Sequence, residues 1–191
     1  MTTTSTQRWL IPALIVVVSL TVGGGLLARE LYSPPTVAPI VPGVLPTSGS
    51  LTPEEQPGSD EVFMTADAAA HPDGVDVRGA LQSYFRSINQ KNYDLWASVA
   101  SAKRLGKKPR DSWLDDYKTT KDGSILVYRI EAPVGSLRVL VGFTSTQAVE
   151  LAPADLMEPC IRWRVVLPMV NENGTWKIDE AEGSTPEKEK C

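Results

Sequence analysis

The two cysteines are the residues whose chemistry the sequence defines most clearly. Cys160 begins a segment of alternating apolar residues, and Cys191 follows the polar stretch GSTPEKEK. In an exported chain, a small even number of cysteines favours a disulfide. This pairing would close a loop of 31 residues and contribute roughly 3–4 kcal/mol. The alternative is a buried Cys160 and a free Cys191. Two thiols fall short of the four ligands of a structural metal site, so we expect no metal and no cofactor.

Carboxylates are the remaining candidates for acid–base chemistry. The only histidine, His71, lies outside the region in which we expect a folded domain, so a Ser-His or Cys-His dyad is excluded there. A carboxylate base needs an apolar pocket that raises its pKa. The sequence places four acids near predicted elements, but at helix caps or on outward faces: Asp94, Asp115, Asp116 and Asp179. We therefore predict no enzymatic activity.

Aromatic residues are numerous in the second half of the chain. Large aromatic side chains fill cores, and they also line pockets in which tyrosine hydroxyls act as polar contacts for an apolar or amphipathic ligand. Six of them are candidates for lining such a pocket: Tyr84, Trp96, Trp113, Tyr117, Trp163 and Trp176. A filled core remains the alternative.

A run of basic residues forms the one concentrated charge cluster. Its members carry five positive charges without an intervening acid: Lys103, Arg104, Lys107, Lys108 and Arg110. Gly106 and Pro109 predict a loop here. The loop is either simply solvated or contacts anionic lipid headgroups or wall polymers.

The elements that position these residues follow from the apolar period, which changes along the chain. A period of 3.6 predicts three helices: Val75–Asn89, Tyr93–Ala100 and Arg110–Thr119. A turn at Asp122 and Gly123 follows. A period of two then predicts four strands: Ser124–Glu131, Ser136–Gln147, Cys160–Val170 and Thr175–Ala181. Helices followed by antiparallel strands indicate an α+β domain with the helices packed on one face of the sheet.

The N-terminal region contains an uncharged stretch of eighteen residues, LIPALIVVVSLTVGGGLL, at Leu10–Leu27. As a helix it would reach roughly 27 Å, close to the hydrocarbon thickness of a bilayer of about 30 Å. We predict an uncleaved transmembrane helix over 10–27, with residues 1–9 in the cytosol. A cleaved signal peptide is the alternative. The cysteines favour a location outside the cytoplasm for the rest of the chain.

The segment 33–72 has the composition of a disordered linker. It holds eight of the fifteen prolines and six acids when counted through Asp73, with few large apolar residues. The chain has a net charge of −4, whereas residues 74–191 carry seventeen bases and sixteen acids, a net charge of +1. A nearly neutral domain of this kind is not typical of nucleic-acid binding.

Two segments of the domain carry a family resemblance. YFRSINQKNYDLW, a helix followed by a turn into a second helix, resembles the opening of nuclear transport factor 2-like domains, also called SnoaL-like or ketosteroid-isomerase-like. CIRWRVVLPMVNENGTWKIDEAEG resembles their closing hairpin. The resemblance covers about residues 76–182, within a domain at 74–191. It implies a cone-shaped domain in which a curved antiparallel sheet wraps about three helices around a central pocket. The order of anchor, Pro-rich spacer and domain is similar to that of actinobacterial envelope proteins.

Fold alone does not define activity, so two functions stay open. The first is a membrane-tethered, extracytoplasmic binding module without catalysis, contacting an envelope protein or a second copy of itself through the open sheet face. The second is a small-molecule binder, or a lyase- or isomerase-like enzyme, that uses the pocket. The second requires a cavity with a buried carboxylate or a pair of tyrosines.

Overall fold

The structure, a computed structural model, describes residues 51–181, 183 and 185–191. These residues belong to the second of two structural units, Val44–Cys191. The predicted spanning helix Leu10–Leu27 lies outside the described residues. Among the residues that are described, no helix combines the length and apolar character needed to cross a membrane.

Five α-helices precede the long strands in the described part of the chain. They are α1 (Ala66–Ala69), α2 (Gly74–Gln90), α3 (Tyr93–Val99), α4 (Ala102–Lys107) and α5 (Arg110–Tyr117). The predicted apolar stripe of α2 is buried, including Val77, Leu81 and Ile88. This helix ends at Gln90, and Lys91, whose φ is 57°, caps it in the left-handed conformation. The side chain of Asn92 then caps α3 by accepting a hydrogen bond from the Leu95 N–H at 3.0 Å.

A six-stranded, curled half-barrel sheet forms the rest of the domain. Its strands are β1 (Val62–Met64), β2 (Lys121–Glu131), β3 (Ser136–Thr146), β4 (Cys160–Glu172), β5 (Thr175–Ile178) and β6 (Glu187–Lys190). The order is β1-β2-β3-β4-β5, and β6 also pairs with β4. Among the strands of the described residues, β1 alone pairs in parallel with its neighbour. The helices pack on one face, here called the inner face, which confirms the α+β class.

Register irregularities lie in β2, where the sequence did not predict them. The β2–β3 pairing shifts between Gly123 and Leu126 and again between Val127 and Arg129. The glycine at position 142 in β3 makes room for an aromatic ring. A Cβ at Gly142 would lie 2.7 Å from Cε2 of Tyr128, so glycine lets this ring lie against the opposite, outer face of the sheet.

Two local predictions were wrong, and the polar tail, for which the sequence predicted no element, also forms a strand. The predicted basic loop contains α4, because Ser101 caps it by accepting a hydrogen bond from the Arg104 N–H. The predicted turn at Asp122 and Gly123 lies inside β2. The polar tail contributes β6, which pairs with Ile161–Arg164 of β4.

The predicted disordered linker is folded over its last part, so that prediction is wrong for residues 51–72. Val62 of β1 is fully buried, and β1 pairs with β2 over three residues. The side chain of Gln82 accepts a hydrogen bond from the Val62 N–H, and Arg78 Nε donates one to the Val62 carbonyl, both at 2.9 Å. Contacts made in tertiary structure therefore order a segment whose composition alone favours disorder.

Shortening Val62 tests whether β1 belongs to the folded domain. We expect Val62→Ala to lower the free energy of unfolding by about 2 kcal/mol, because it removes two buried methyl groups and leaves a cavity. Val134 is fully exposed, so Val134→Ala is the matched control and should change stability by less than about 0.5 kcal/mol. Denaturant unfolding of the full chain in an uncharged detergent measures both. If Val62→Ala and Val134→Ala changed the free energy of unfolding equally, β1 would not contribute to the core.

Candidate functional site

The centre of β4 is less covered than its ends on the inner face. Ile161 and Met169 are fully buried, whereas Trp163 and Val165 between them are only half-buried. Phe143, the cross-strand partner of Trp163, is half-buried as well. This face of β4 is therefore covered more completely at its two ends than in its middle. We call the surface formed by Phe143, Trp163 and Val165 the β4 recess.

A row of aromatic rings connects the recess with α2. The Phe143 ring stacks on Trp163 with the ring centroids 6.2 Å apart, and it lies 5.0 Å from the ring of Phe85. Phe85 is in edge contact with Tyr84 at 5.3 Å. The indole N–H of Trp163 is buried and has no hydrogen-bond partner in the described part of the chain. Such an unpaired donor is uncommon in native interiors.

Arg104 of α4 brings a positive charge to the Tyr84 end of this row. Its Nη1 donates to the Asp179 carbonyl at 3.1 Å, and its Nη2 donates to the Tyr84 hydroxyl at 3.0 Å. The guanidinium carbon lies 5.2 Å from the ring centroid of Tyr84 and 5.9 Å from that of Trp96. Burial opposes the charge, but Tyr84, Tyr117 and Asp179 outweigh it, and the pKa of Arg104 is raised.

Tyr117 of α5 adds a second phenol beside Tyr84. The pKa of Tyr117 lies well above its usual value, because the Tyr84 hydroxyl is a close neighbour and because the phenol is buried. Arg104 partly opposes this shift and Asp122 adds to it. Tyr117 therefore stays protonated at ordinary pH and keeps an O–H group that can donate a hydrogen bond.

Asp122 of β2 is the buried carboxyl group of this region, with an exposed fraction of 3%. Burial raises the pKa of Asp122 from 3.8 to about 6, although the Ser145 hydroxyl opposes the shift by donating to Oδ1. Asn89 fixes the backbone by hydrogen bonds to both the N–H and the carbonyl of Asp122.

Sequence reasoning missed Asp122 because Asp-Gly is a strong local turn signal. The register shift between Gly123 and Leu126 also breaks strict alternation, so period two cannot be extended back to Asp122. No local pattern marks this residue. Its partner Ser145 likewise carries no signal before the β2–β3 register is known.

The six aromatic candidates separate into three groups. Trp96 and Trp113 are fully buried, with ring centroids 5.7 Å apart, and they fill the core. Trp176 donates its indole N–H to Asp73 at 2.9 Å, at the start of α2. The remaining three lie at the aromatic row or beside Arg104: Tyr84, Tyr117 and Trp163. Their role as ligand contacts stays a prediction.

The basic run is largely balanced by acids. Lys107 pairs with Glu180, Lys108 with Asp116 and Arg110 with Asp94. Of the other acids considered from the sequence, Asp115 forms an exposed pair with Lys118, and Asp179 accepts a hydrogen bond from Ser101. Arg104 differs from the rest of the run because it turns toward the interior. The fifth member of the run is Lys103, which lies on the exposed side of α4.

The predicted disulfide is confirmed. Cys160 and Cys191 are bonded with their Cα atoms 5.4 Å apart, and the Cys191 N–H donates to the Cys160 carbonyl at 3.1 Å. The bond joins the start of β4 to the residue that follows β6. No group of three or more potential metal ligands was found among the described residues.

The curled half-barrel sheet with helices on one face fits, in general form, the cone-shaped fold that the sequence resemblance implies. Comparison with known proteins finds no matching family model and no curated protein with significant sequence similarity.

Proposed function

We propose that this chain is a binding module of the nuclear transport factor 2-like class that holds a small amphipathic molecule in the β4 recess. We further propose that Leu10–Leu27 anchors it in the cell membrane and that the folded domain lies outside the cytoplasm. The uncharged stretch supports the anchor, and the Cys160–Cys191 bond supports the location, because disulfides persist in oxidising compartments.

The observation that carries the proposal is the uneven burial of β4. A strand that simply closes a core would bury its central inward residues best, but here Trp163 and Val165 are the ones that stay partly uncovered. The indole N–H of Trp163 in this apolar surface has no hydrogen-bond partner among the described residues, and apolar surface with a few polar groups is typical of small-molecule sites.

Filling the recess tests the proposal. Val165 lies on the inner face and Val166 on the outer face, and both are half-buried valines of the same strand. We expect the neutral probe 4-phenylbutan-1-ol to bind the full chain, and Val165→Trp to weaken binding at least tenfold by occupying the space. Val166→Trp, the matched control, should leave affinity unchanged. Calorimetric titration in an uncharged detergent, with micelles alone as the blank, measures this.

Absence of probe binding to the unmodified chain would contradict the proposal. An equal loss of affinity in Val165→Trp and Val166→Trp would contradict it as well. Circular dichroism melts of both variants establish that they are folded.

A second candidate function, acid–base catalysis, is favoured by one observation. Asp122 is a buried carboxyl group with a pKa of about 6 and lies near the protonated Tyr117, an arrangement suited to moving a proton. The two candidates differ in the fate of a compound that binds. The bound compound is incubated with the protein in D₂O. Recovery of the unchanged compound supports binding alone. Incorporation of deuterium at its C–H positions, which should not occur with Asp122→Asn, supports catalysis.

The proposed location and contacts are tested in intact cells. Protease added outside the cells should remove the folded domain, and survival of the domain would contradict an external location. Crosslinking before purification should recover an envelope protein or a second copy of the chain, the two partners expected for a tethered module.

A further inference from the structure

Helix α2 presents a second face to the outside, opposite its buried stripe of Val77, Leu81 and Ile88. We call it the α2 exposed face. Its residues follow one another at intervals of three or four, which places them on one side of the helix. They are Val75, Gly79, Ser83, Arg86 and Gln90. Val75 is a large apolar residue at the start of this face, and 83% of its surface is exposed.

A groove of about 500 Å³ borders the first turns of the α2 exposed face on the side of β1. Its lining is mostly apolar and includes Met64 of β1, Ala69 of α1, and Gly74, Val75 and Gly79 of α2. Exposed apolar surface of this kind is typical of a contact with another protein rather than of a purely solvated helix face.

Gly79 lies on the α2 exposed face, where packing within the molecule does not require a glycine. A Cβ at this position would have no other heavy atom of the described chain within 4 Å, apart from the backbone of α2 itself. Glycine inside a helix is destabilising relative to alanine, so its presence here is unfavourable for the isolated helix. The absence of a side chain does, however, let the backbone of another molecule approach closely.

Two charged residues of α2 make no ion pair in the part of the chain that the structure describes. Asp76 lies in the first turn and Arg86 lies near the other end of the helix, whereas the exposed Arg78 pairs with Glu61. Ten residues of helix separate Asp76 from Arg86 by roughly 15 Å, so the two cannot pair with each other within one molecule. A second, antiparallel copy of α2 would bring each of them near the opposite charge of the other molecule.

We propose that two copies of this chain associate through their α2 exposed faces, with the helices antiparallel and in closest contact at Gly79. A two-fold axis near Gly79 makes the contact self-complementary, and it places Val75 of each molecule beside the groove of the other. Asp76 then lies opposite the turn that precedes Arg86 of the other molecule. Arginine side chains in helices lean toward the N-terminus, which brings the guanidinium of Arg86 toward this carboxylate. The contact does not depend on a ligand in the β4 recess.

Replacing Gly79 by leucine separates association from folding. We expect Gly79→Leu to raise the melting temperature of the monomer, because leucine favours the helix and the space around this position is open. The same change should weaken dimerisation about tenfold or more, because the added side chain holds the two helices apart. Gly106→Leu is the matched control, since Gly106 is an exposed glycine of α4 with equally open space around it. It should leave the dissociation constant of the dimer unchanged.

Charge reversal tests the antiparallel arrangement independently. Asp76→Arg and Arg86→Asp should each weaken the dimer about tenfold at low ionic strength, because each variant brings like charges together at two symmetric places. The double variant Asp76→Arg, Arg86→Asp should restore the dissociation constant to within about threefold of the unmodified value, because the exchanged charges form both pairs again. Sedimentation equilibrium of the full chain in an uncharged, density-matched detergent measures the dissociation constant for all variants.

Two results would overturn the proposal. The first is an unmodified chain that stays monomeric up to about 1 mM. The second is a dimer that Gly79→Leu weakens no more than Gly106→Leu does, because the contact would then lie on another surface, such as the outer face of the sheet or the stretch Leu10–Leu27. Because the glycine and the two charges are changed separately, a single variant that fails to fold does not remove the test. Neither result affects the binding of 4-phenylbutan-1-ol, which tests the recess alone.

Discussion

Breaking the Cys160–Cys191 bond should lower the free energy of unfolding by about 3–4 kcal/mol. The bond closes a loop of 31 residues, and a crosslink of this length restricts the unfolded chain by about that amount. The loop contains most of β4, together with β5 and β6. β6 has four mostly exposed residues. Besides its pairing with β4 it is held by surface ion pairs such as Arg162–Glu189 and Lys188–Asp155, which contribute little, so it should detach first.

The expected result is measured by denaturant unfolding of the full chain with and without reductant. The control is the double variant Cys160→Ala, Cys191→Ala, which should match the reduced protein and show no further response to reductant. Hydrogen exchange should show loss of protection at the amides of Arg162 and Arg164, because the even-numbered residues of β4 face β6, as the bond from the Cys191 N–H to the Cys160 carbonyl shows. If the reduced and oxidised proteins unfold at the same denaturant concentration, the bond does not stabilise the fold.

The same bond provides a test in the native host. Protein isolated with thiols alkylated at lysis should carry no label at either cysteine until it is reduced. Labelling of both cysteines without reduction would contradict both the bond in the cell and the proposed oxidising compartment.

Replacing Asp122 by Asn should stabilise the protein at neutral pH by about 2–3 kcal/mol. The pKa of Asp122 is raised to about 6 in the folded state from 3.8, so folding disfavours the charged form. Below pH 3.8 both states are protonated and the carboxyl group costs nothing. Between about pH 4 and 6 the unfolded chain releases its proton first and stability falls. Above pH 6 the full cost is present.

Thermal unfolding between pH 3.5 and 8 measures this effect. The difference in melting temperature between Asp122→Asn and the unmodified protein should be small at pH 3.5 and reach its maximum above pH 6. Asn can still accept the hydrogen bond that Ser145 donates. The control is Asp115→Asn, because Asp115 is 80% exposed and its pair with Lys118 should contribute little. A difference in melting temperature that stays constant between pH 3.5 and 8 would mean that Asp122 is not the titrating group.

The long elements and the disulfide could be predicted from sequence because their signals are local. The stripe of α2 and the alternation of β3 and β4 extend over ten or more residues, enough to outweigh individual exceptions. β1 could not be predicted in this way. Three residues carry no period, and they are ordered by β2, Gln82 and Arg78, which are distant in sequence.

The residues of the candidate site also divide into those that the sequence could indicate and those that only the folded structure reveals. The sequence identified aromatic residues and Arg104 as chemically relevant, because residue type alone suggests these roles. It did not indicate that Arg104 turns inward from an otherwise paired basic run, since this depends on the positions of Tyr84 and Asp179. The buried Asp122 depends on a register shift in β2, which only the assembled sheet defines.

The two side chains that bind Val62 have a consequence for association between molecules. A strand at the border of a sheet offers free N–H and carbonyl groups to any passing chain, and this is a common route to aggregation. Gln82 and Arg78 occupy both groups of Val62 from the same molecule. This border is therefore shielded from intermolecular strand pairing at Val62 by two side chains of α2.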